Sequence, residues 1–271
     1  MSDAYIPLDH LDLALAAGFL LLNGLFSLLL GLGLERRLLI AGLRMSVQLI
    51  LVGLVLKALF DLAQPWLVLL VALVMVAVAG REIWARQQRR LGGPWGYGIG
   101  TGAALLAGGL ITLIGLGVHI QPEPWWSPRY ALPLLGMILG NLMTGVALAV
   151  DSLHDLLHRE RSAVEARLLL GYTRREALLP VLRRALHSGF TPIINAMAAT
   201  GIVSLPGMMT GQIMSGVSPE QAVKYQLLVM FLIGGATGLG VLLAVFASAV
   251  RLTDGRHRLR LDRLAPGDGF E

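Results

Sequence analysis

The feature that most constrains this chain is the length of its apolar runs. Several stretches of about 20 residues carry almost no charge, which is what a helix needs to cross a bilayer core roughly 30 Å thick. In hydrocarbon every backbone N–H and C=O must be satisfied within the segment, so such runs fold as helices. Composition agrees: the 271 residues are 55% hydrophobic and only 14% charged, against about 25% charged in a soluble domain. The sequence therefore predicts an all-α, polytopic transmembrane bundle forming a single domain over 1–271. Seven crossings are expected, at 11–33, 38–60, 66–80, 98–118, 131–152, 189–211 and 225–250. The third is short and is expected to continue into an amphipathic stretch at 81–90, where Glu82 and Arg86 stand at i,i+4. The first ten residues carry Asp3 and Asp9 and no basic leader, so the first run is expected to be a retained helix. With no cysteine, disulfides and thiolate metal sites are excluded.

The basic residues orient the bundle. Of the 22 Lys and Arg residues, 18 fall on one side if the N-terminus is outside, and only Lys57, Arg129 and Lys224 fall on the other. Arg44 lies within a crossing. Under the positive-inside rule the segments around Arg36, Arg81 and 153–187, and the tail 251–271, are then cytoplasmic. Trp66, Trp125, Trp126 and Tyr130 fall at the expected outer interface, where aromatic belts sit. The expected location is a bacterial cytoplasmic (inner) membrane. The net charge of +5 is explained by topology and by anionic lipid head groups, and nucleic acid is not an expected partner.

The segment 153–187 reads as helix, turn, helix. Residues 162–170 contain good helix formers, and Gly171 stands where a C′ glycine belongs. Thr173 and Glu176 have the spacing of a capping box opening a second helix at 174–186. Pro180 lies inside that helix and is expected to kink or end its first part. Physics alone leaves two readings open: an amphipathic hairpin on the inner leaflet, or a docking element for another protein.

The run Glu165-Ala166-Arg167-Leu168-Leu169-Leu170-Gly171, followed by Ala177, Leu178 and Pro180, resembles the EAA-type loop of ABC transporter permeases, with Arg167 where the motif has its second alanine. Two other stretches narrow the resemblance. One is Gly136-Met137-Ile138-Leu139-Gly140-Asn141-Leu142-Met143-Thr144-Gly145, running on to Asp151-Ser152-Leu153. The other runs from Pro192-Ile193-Ile194-Asn195 through Ser204-Leu205-Pro206-Gly207-Met208-Met209 to Gln212 and Gln226. Together they resemble the FetB family of ABC-transporter membrane subunits, associated with iron export and, in plant relatives, with aluminium tolerance. The resemblance implies a homodimeric permease paired with a separate ATPase, coupled through Glu165, Ala166, Gly171, Thr173 and Glu176, and it implies metal export. The chain has no G-x-x-x-x-G-K-[ST] segment, so ATP is expected on the partner and no cofactor on this chain. No nucleophile–base set is evident, so the chain is not expected to be an enzyme by itself.

Polar residues inside the membrane are the candidate pathway, because they are costly there. Met137, Asn141, Thr144, Asp151 and Asp155 fall on one stripe of the fifth crossing. Gly136 and Gly140 beside it allow close helix approach. Arg44 and Gln48 stand at i,i+4 in the second crossing, and Arg44 lies at a depth that suggests a pair with Asp151. In the sixth crossing Pro206-Gly207 is expected to leave 204–212 unwound or re-entrant, with Asn195, Ser204, Pro206, Met208, Met209 and Gln212 near a helix break. Asn141, Met208 and Met209 are weak candidate metal ligands, with pliable packing the plainer role for any one methionine. His119, His154, His158 and His187 read as surface histidines. Gly234, Gly235, Gly238 and Gly240 read as a packing face of the last crossing, at a dimer interface. The alternatives to a metal exporter are an ABC permease for another small solute and a stand-alone carrier or membrane scaffold. The absence of an evident inverted repeat argues against the carrier.

Overall fold

A computed structural model describes residues 9–62, 64–256 and 258–265. The chain forms two compact units, residues 1–63 and 64–271. The first is a helical hairpin of α1 (His10–Leu29) and α2 (Glu35–Leu62). Ser27 ties its turn: the hydroxyl accepts the Leu34 amide at 2.9 Å and donates to the Glu35 carboxylate at 2.8 Å.

The second unit holds α3 (Pro65–Ala85), α4 (Pro94–Ile120), α5 (Pro128–Arg159), α6 (Arg161–Leu169), α7 (Arg174–Ala199), α8 (Gly207–Met214) and α9 (Pro219–Arg251). Prolines open α3, α4, α5 and α9, a position where the missing N–H would have had no helical partner. Two wide π turns, Ala104–Gly109 and Gly115–Ile120, interrupt α4. Its buried Gly108 and Gly115 face Leu139 of α5 and Leu232 of α9.

The core of this unit lies where α5, α7 and α9 pack together. Small residues set the approach. A Cβ added to Gly145 would lie 2.9 Å from the Gly189 carbonyl oxygen, and one on Gly189 would lie 2.6 Å from the Ala149 Cβ. Side-chain-free contact of this kind drives helix association in lipid, where no hydrophobic effect operates between helices. Gly238 and Gly240 of α9 join the same core, against Phe190 and Leu142. They therefore form the expected packing face, and they form it within this chain rather than at a dimer interface. Gly235 is exposed.

Among the described residues six helices are long and apolar enough to cross a membrane: α1, α2, α3, α4, α5 and α9. The residues expected to form a separate sixth crossing lie instead on the second half of α7 and the segment after it. α7 runs unbroken through Pro180 and Pro192, so Pro180 does not end the helix. Burial of Ala177, Leu178, Val181, Leu182 and Ala185 holds the helix through the one hydrogen bond that proline removes. The helix break also falls earlier than expected. It covers 200–206, with Gly201 at φ 88°, and helix resumes at Gly207 behind Pro206 in the N-cap position. Of the residues 204–212 expected to be unwound or re-entrant, 207–212 are therefore helical and not unwound.

One end of the second unit is stitched together by polar contacts. The α3–α4 link gives its Gln88 amide to Asp151 Oδ1 at 2.7 Å, and the Arg89 carbonyl lies 2.7 Å from His154 Nδ1. The segment after α9 folds back onto the same link, through Gly92 N–H to Arg263 C=O at 2.8 Å and Ala265 N–H to Arg90 C=O at 2.7 Å. The Arg251 guanidinium stacks over Trp95 at 4.7 Å, a geometry that favours a cation on an aromatic face. This is the arginine-rich end of α5, α7 and α9.

Candidate coupling hairpin and membrane-embedded polar residues

The hairpin of α6 and α7 is locked by its own backbone chemistry. α6 ends in a Schellman turn: the Tyr172 amide reaches the Arg167 carbonyl and the Gly171 amide reaches the Leu168 carbonyl, both at 3.1 Å. Gly171 sits at φ 90°, a conformation that a side chain disfavours. The capping box is formed: the Glu176 amide donates to Thr173 Oγ1 at 3.3 Å, and the Thr173 amide donates to Glu176 at 2.9 Å. These bonds hold the Glu176 carboxyl below its ordinary range, the Thr173 hydroxyl contributing most. Arg167 donates to the Ala177 carbonyl at 3.3 Å, so the residue that departs from the EAA pattern crosslinks the two helices. Arg184 grips Glu160 through two nitrogens and ties α7 to the junction of α5 and α6. That pairing, led by the hydrogen bonds, lowers the Glu160 carboxyl. Glu165 pairs with Arg161 at 2.8 Å, and Ala166 is exposed.

The tip of this hairpin is apolar and uncovered. Leu169 is 88% exposed, Leu170 77% and Tyr172 52%. Inward, Val164, Ala177 and Leu178 are buried. The hairpin thus splits its apolar residues into a buried set that fixes its angle and an exposed set at the turn.

The membrane-embedded candidates separate into groups. Asn141 and Thr144 share an exposed face of α5, and each side chain bonds its own helix, at Met137 and Gly140. Asp151, expected on the same stripe, is half-buried and finds partners within its own unit, at the α3–α4 link. Arg44 and Gln48 lie on α2, in the other unit. Asn195 and Ser204 are exposed near the α7 break, and Met208, Met209 and Gln212 are partly buried on α8. Among the described residues no group of three or more His, Asp or Glu side chains is placed to hold a metal. A cavity of about 430 Å³ between α3, α4 and α5 is walled almost wholly by apolar groups, Trp66, Trp125 and Trp126 among them, and so offers nothing to an ion.

One histidine departs from the surface position expected of it. His154 is fully buried, not a surface residue, and its ring anchors the Arg89 carbonyl. His119, His158 and His187 are exposed as expected. Two polar residues of α9, Thr237 and Ser248, had no motif to reveal them; like Gln226 they are buried, each with an oxygen that has no hydrogen-bond partner. The three stand eleven residues apart in the sequence.

A bundle of apolar helices with one basic, hydrogen-bonded end defines an integral membrane protein. The family model that matches residues 10–252 is described as an Uncharacterised protein family (UPF0014), and the chain belongs to that family. It is 38% identical to the UPF0014 membrane protein slr1647 of Synechocystis, over 86% of this chain and 89% of that one. It is 36% identical to Protein ALUMINUM SENSITIVE 3 of Arabidopsis thaliana, over 76% and 74%. It is 31% identical to the Probable iron export permease protein FetB of Escherichia coli, over 86% and 88%. No solved structure matches significantly. With the helical bundle, these relatives make the chain a membrane permease.

Proposed function

We propose that this chain is the membrane subunit of an ATP-driven exporter, working as a homodimer with a separate ABC ATPase and carrying iron or a related metal ion. The observation that carries the ATPase partnership is the rigid hairpin with Leu169, Leu170 and Tyr172 exposed at its turn. Apolar side chains held outward at a polar, arginine-rich end are costly in water and are relieved by a protein groove. A hairpin lying flat on lipid would have no need of a capping box, a Schellman turn and two arginine ties to hold one angle. The metal cargo is supported by the name of the Escherichia coli relative and by the oxygen and thioether side chains near the α7 break, Asn195, Ser204, Met208 and Met209. The second copy is supported by the polar Asn141–Thr144 face of α5, which a partner helix or a water-lined pathway between copies would cover better than lipid.

The docking claim is tested by replacing Leu169 and Leu170 together with Asp. Both side chains are exposed, so thermal unfolding should be unchanged, while association with the ATPase should fall by about tenfold or more. Unchanged association would remove the hairpin from the interface.

A further inference from the structure

We infer that the seam between α5, α7 and α9 opens to water during the working cycle, and that Gln226, Thr237 and Ser248 line the path it makes for a hydrated cation. This rests on the permease reading above and names a path inside one subunit, separate from the Asn141–Thr144 face.

The three side chains are 6%, 1% and 0% exposed, and each keeps an oxygen without a partner. That is unusual within this molecule. The hydroxyls of Thr112, Thr144, Ser188 and Thr191 all donate to the carbonyl four residues back, at 2.7–3.1 Å. Such back-bonding is the ordinary way a hydroxyl is satisfied in an apolar helix, and Thr237 and Ser248 forgo it.

The three positions also share a face. Eleven residues on an α-helix return to within about 20° of the starting direction, so the row runs straight along α9 for roughly 33 Å, the depth of a bilayer core. The seam it faces is known at two levels. A Cβ added to Gly145 would lie 2.8 Å from the Thr237 methyl, and Cβ atoms added to Gly145 or Gly189 would both touch Val241. Two turns further along α5, the Ser152 hydroxyl lies 3.3 Å from that of Ser188 on α7. Toward the other end, α8 packs on α9, and Gln212 on α8 holds a further buried oxygen without a partner.

The closing surfaces are built on small residues: Gly145 and Gly189 meet through their backbones, and the Val241 side chain of α9 rests on both. Buried oxygens without partners favour a hydrated arrangement over the closed one. The row has neutral oxygens and no fixed charge, which suits a cation that keeps part of its water shell.

The chain has no cysteine, so introduced thiols report without background. Thr237→Cys, Ser248→Cys and, as a lipid-facing control, Leu242→Cys are treated with a charged thiosulfonate in proteoliposomes holding the full chain and its ATPase, with and without ATP. Thr237→Cys and Ser248→Cys should react about tenfold faster than Leu242→Cys in at least one nucleotide state. If both are as inert as Leu242→Cys in every state, the seam stays dry and the inference is wrong. Asn141→Cys separates the two failures: its reaction beside an inert seam overturns the seam alone, whereas ATP-independent reactivity at every position tells against the permease reading. Thr237→Val gives a second measure. Removing the hydroxyl at nearly constant shape should raise the unfolding temperature of the nucleotide-free complex; a lowered temperature would mean that the hydroxyl is a satisfied packing group and would also overturn the inference.

Discussion

At the scale of single residues, Asp151 shows how a charge near a membrane boundary can be spent on structure. Its carboxylate accepts the Gln88 amide, while His154, one turn further on, holds the Arg89 carbonyl. The two side chains clamp the α3–α4 link to the end of α5 that leads directly into the α6 hairpin. Asparagine can still accept a backbone amide, whereas alanine cannot. Asp151→Asn should therefore keep close to the parental unfolding temperature, and Asp151→Ala should lose roughly 1–3 kcal/mol through the orphaned amide. Equal losses in the two variants would show that the charge, not the acceptor, is what matters. None of this was readable in advance. A carboxylate and a histidine at three-residue spacing on a helix point equally to a pathway, a surface or a clamp, and the partners that decide are backbone groups more than 60 residues away in sequence.

At the scale of elements, local chemistry was legible and tertiary support was not. Gly171 and the Thr173–Glu176 box could be placed because their bonds join residues within one turn. The path of α7 through Pro180 could not, because its continuity depends on burial against α5. The earlier break at 200–206 has a similar origin: Pro206 caps the following helix rather than opening an unwound stretch. The capping box carries a prediction of its own. Thr173→Ala should cost the start of α7 about 1 kcal/mol, read as faster amide exchange over its first turn. The contribution is also pH-dependent. Glu176 has its carboxyl lowered in the folded hairpin from an ordinary 4.5, so its stabilisation is full above that value and is lost as pH falls through the lower folded one. Exchange at the first turn of α7 should quicken over that acid range in the parent and change little in Glu176→Gln. A parent that shows no such acid limb would contradict the carboxylate's role.

At the scale of the whole molecule, the hydrophobic runs and the arginine distribution carried most of what could be known beforehand. They implied a helical membrane bundle with one basic end, and the structure gathers α5, α7, α9 and the α3–α4 link at such an end. What they left open was where the unusual polar groups would lie. Asn141 and Thr144 announce themselves as polar letters in an apolar run, but Thr237 and Ser248 are too common in membrane helices to stand out until their missing partners are seen. The central claim is that the bundle moves a metal ion at the expense of ATP hydrolysed on another chain. It is tested most directly by placing the chain and its ABC ATPase in proteoliposomes and measuring ATP hydrolysis as iron and neighbouring transition ions are supplied. The account predicts a hydrolysis rate that rises with at least one of these ions only when this chain is present, and loses that rise when Leu169 and Leu170 are replaced by Asp. A rate indifferent to both the chain and the ions would contradict it.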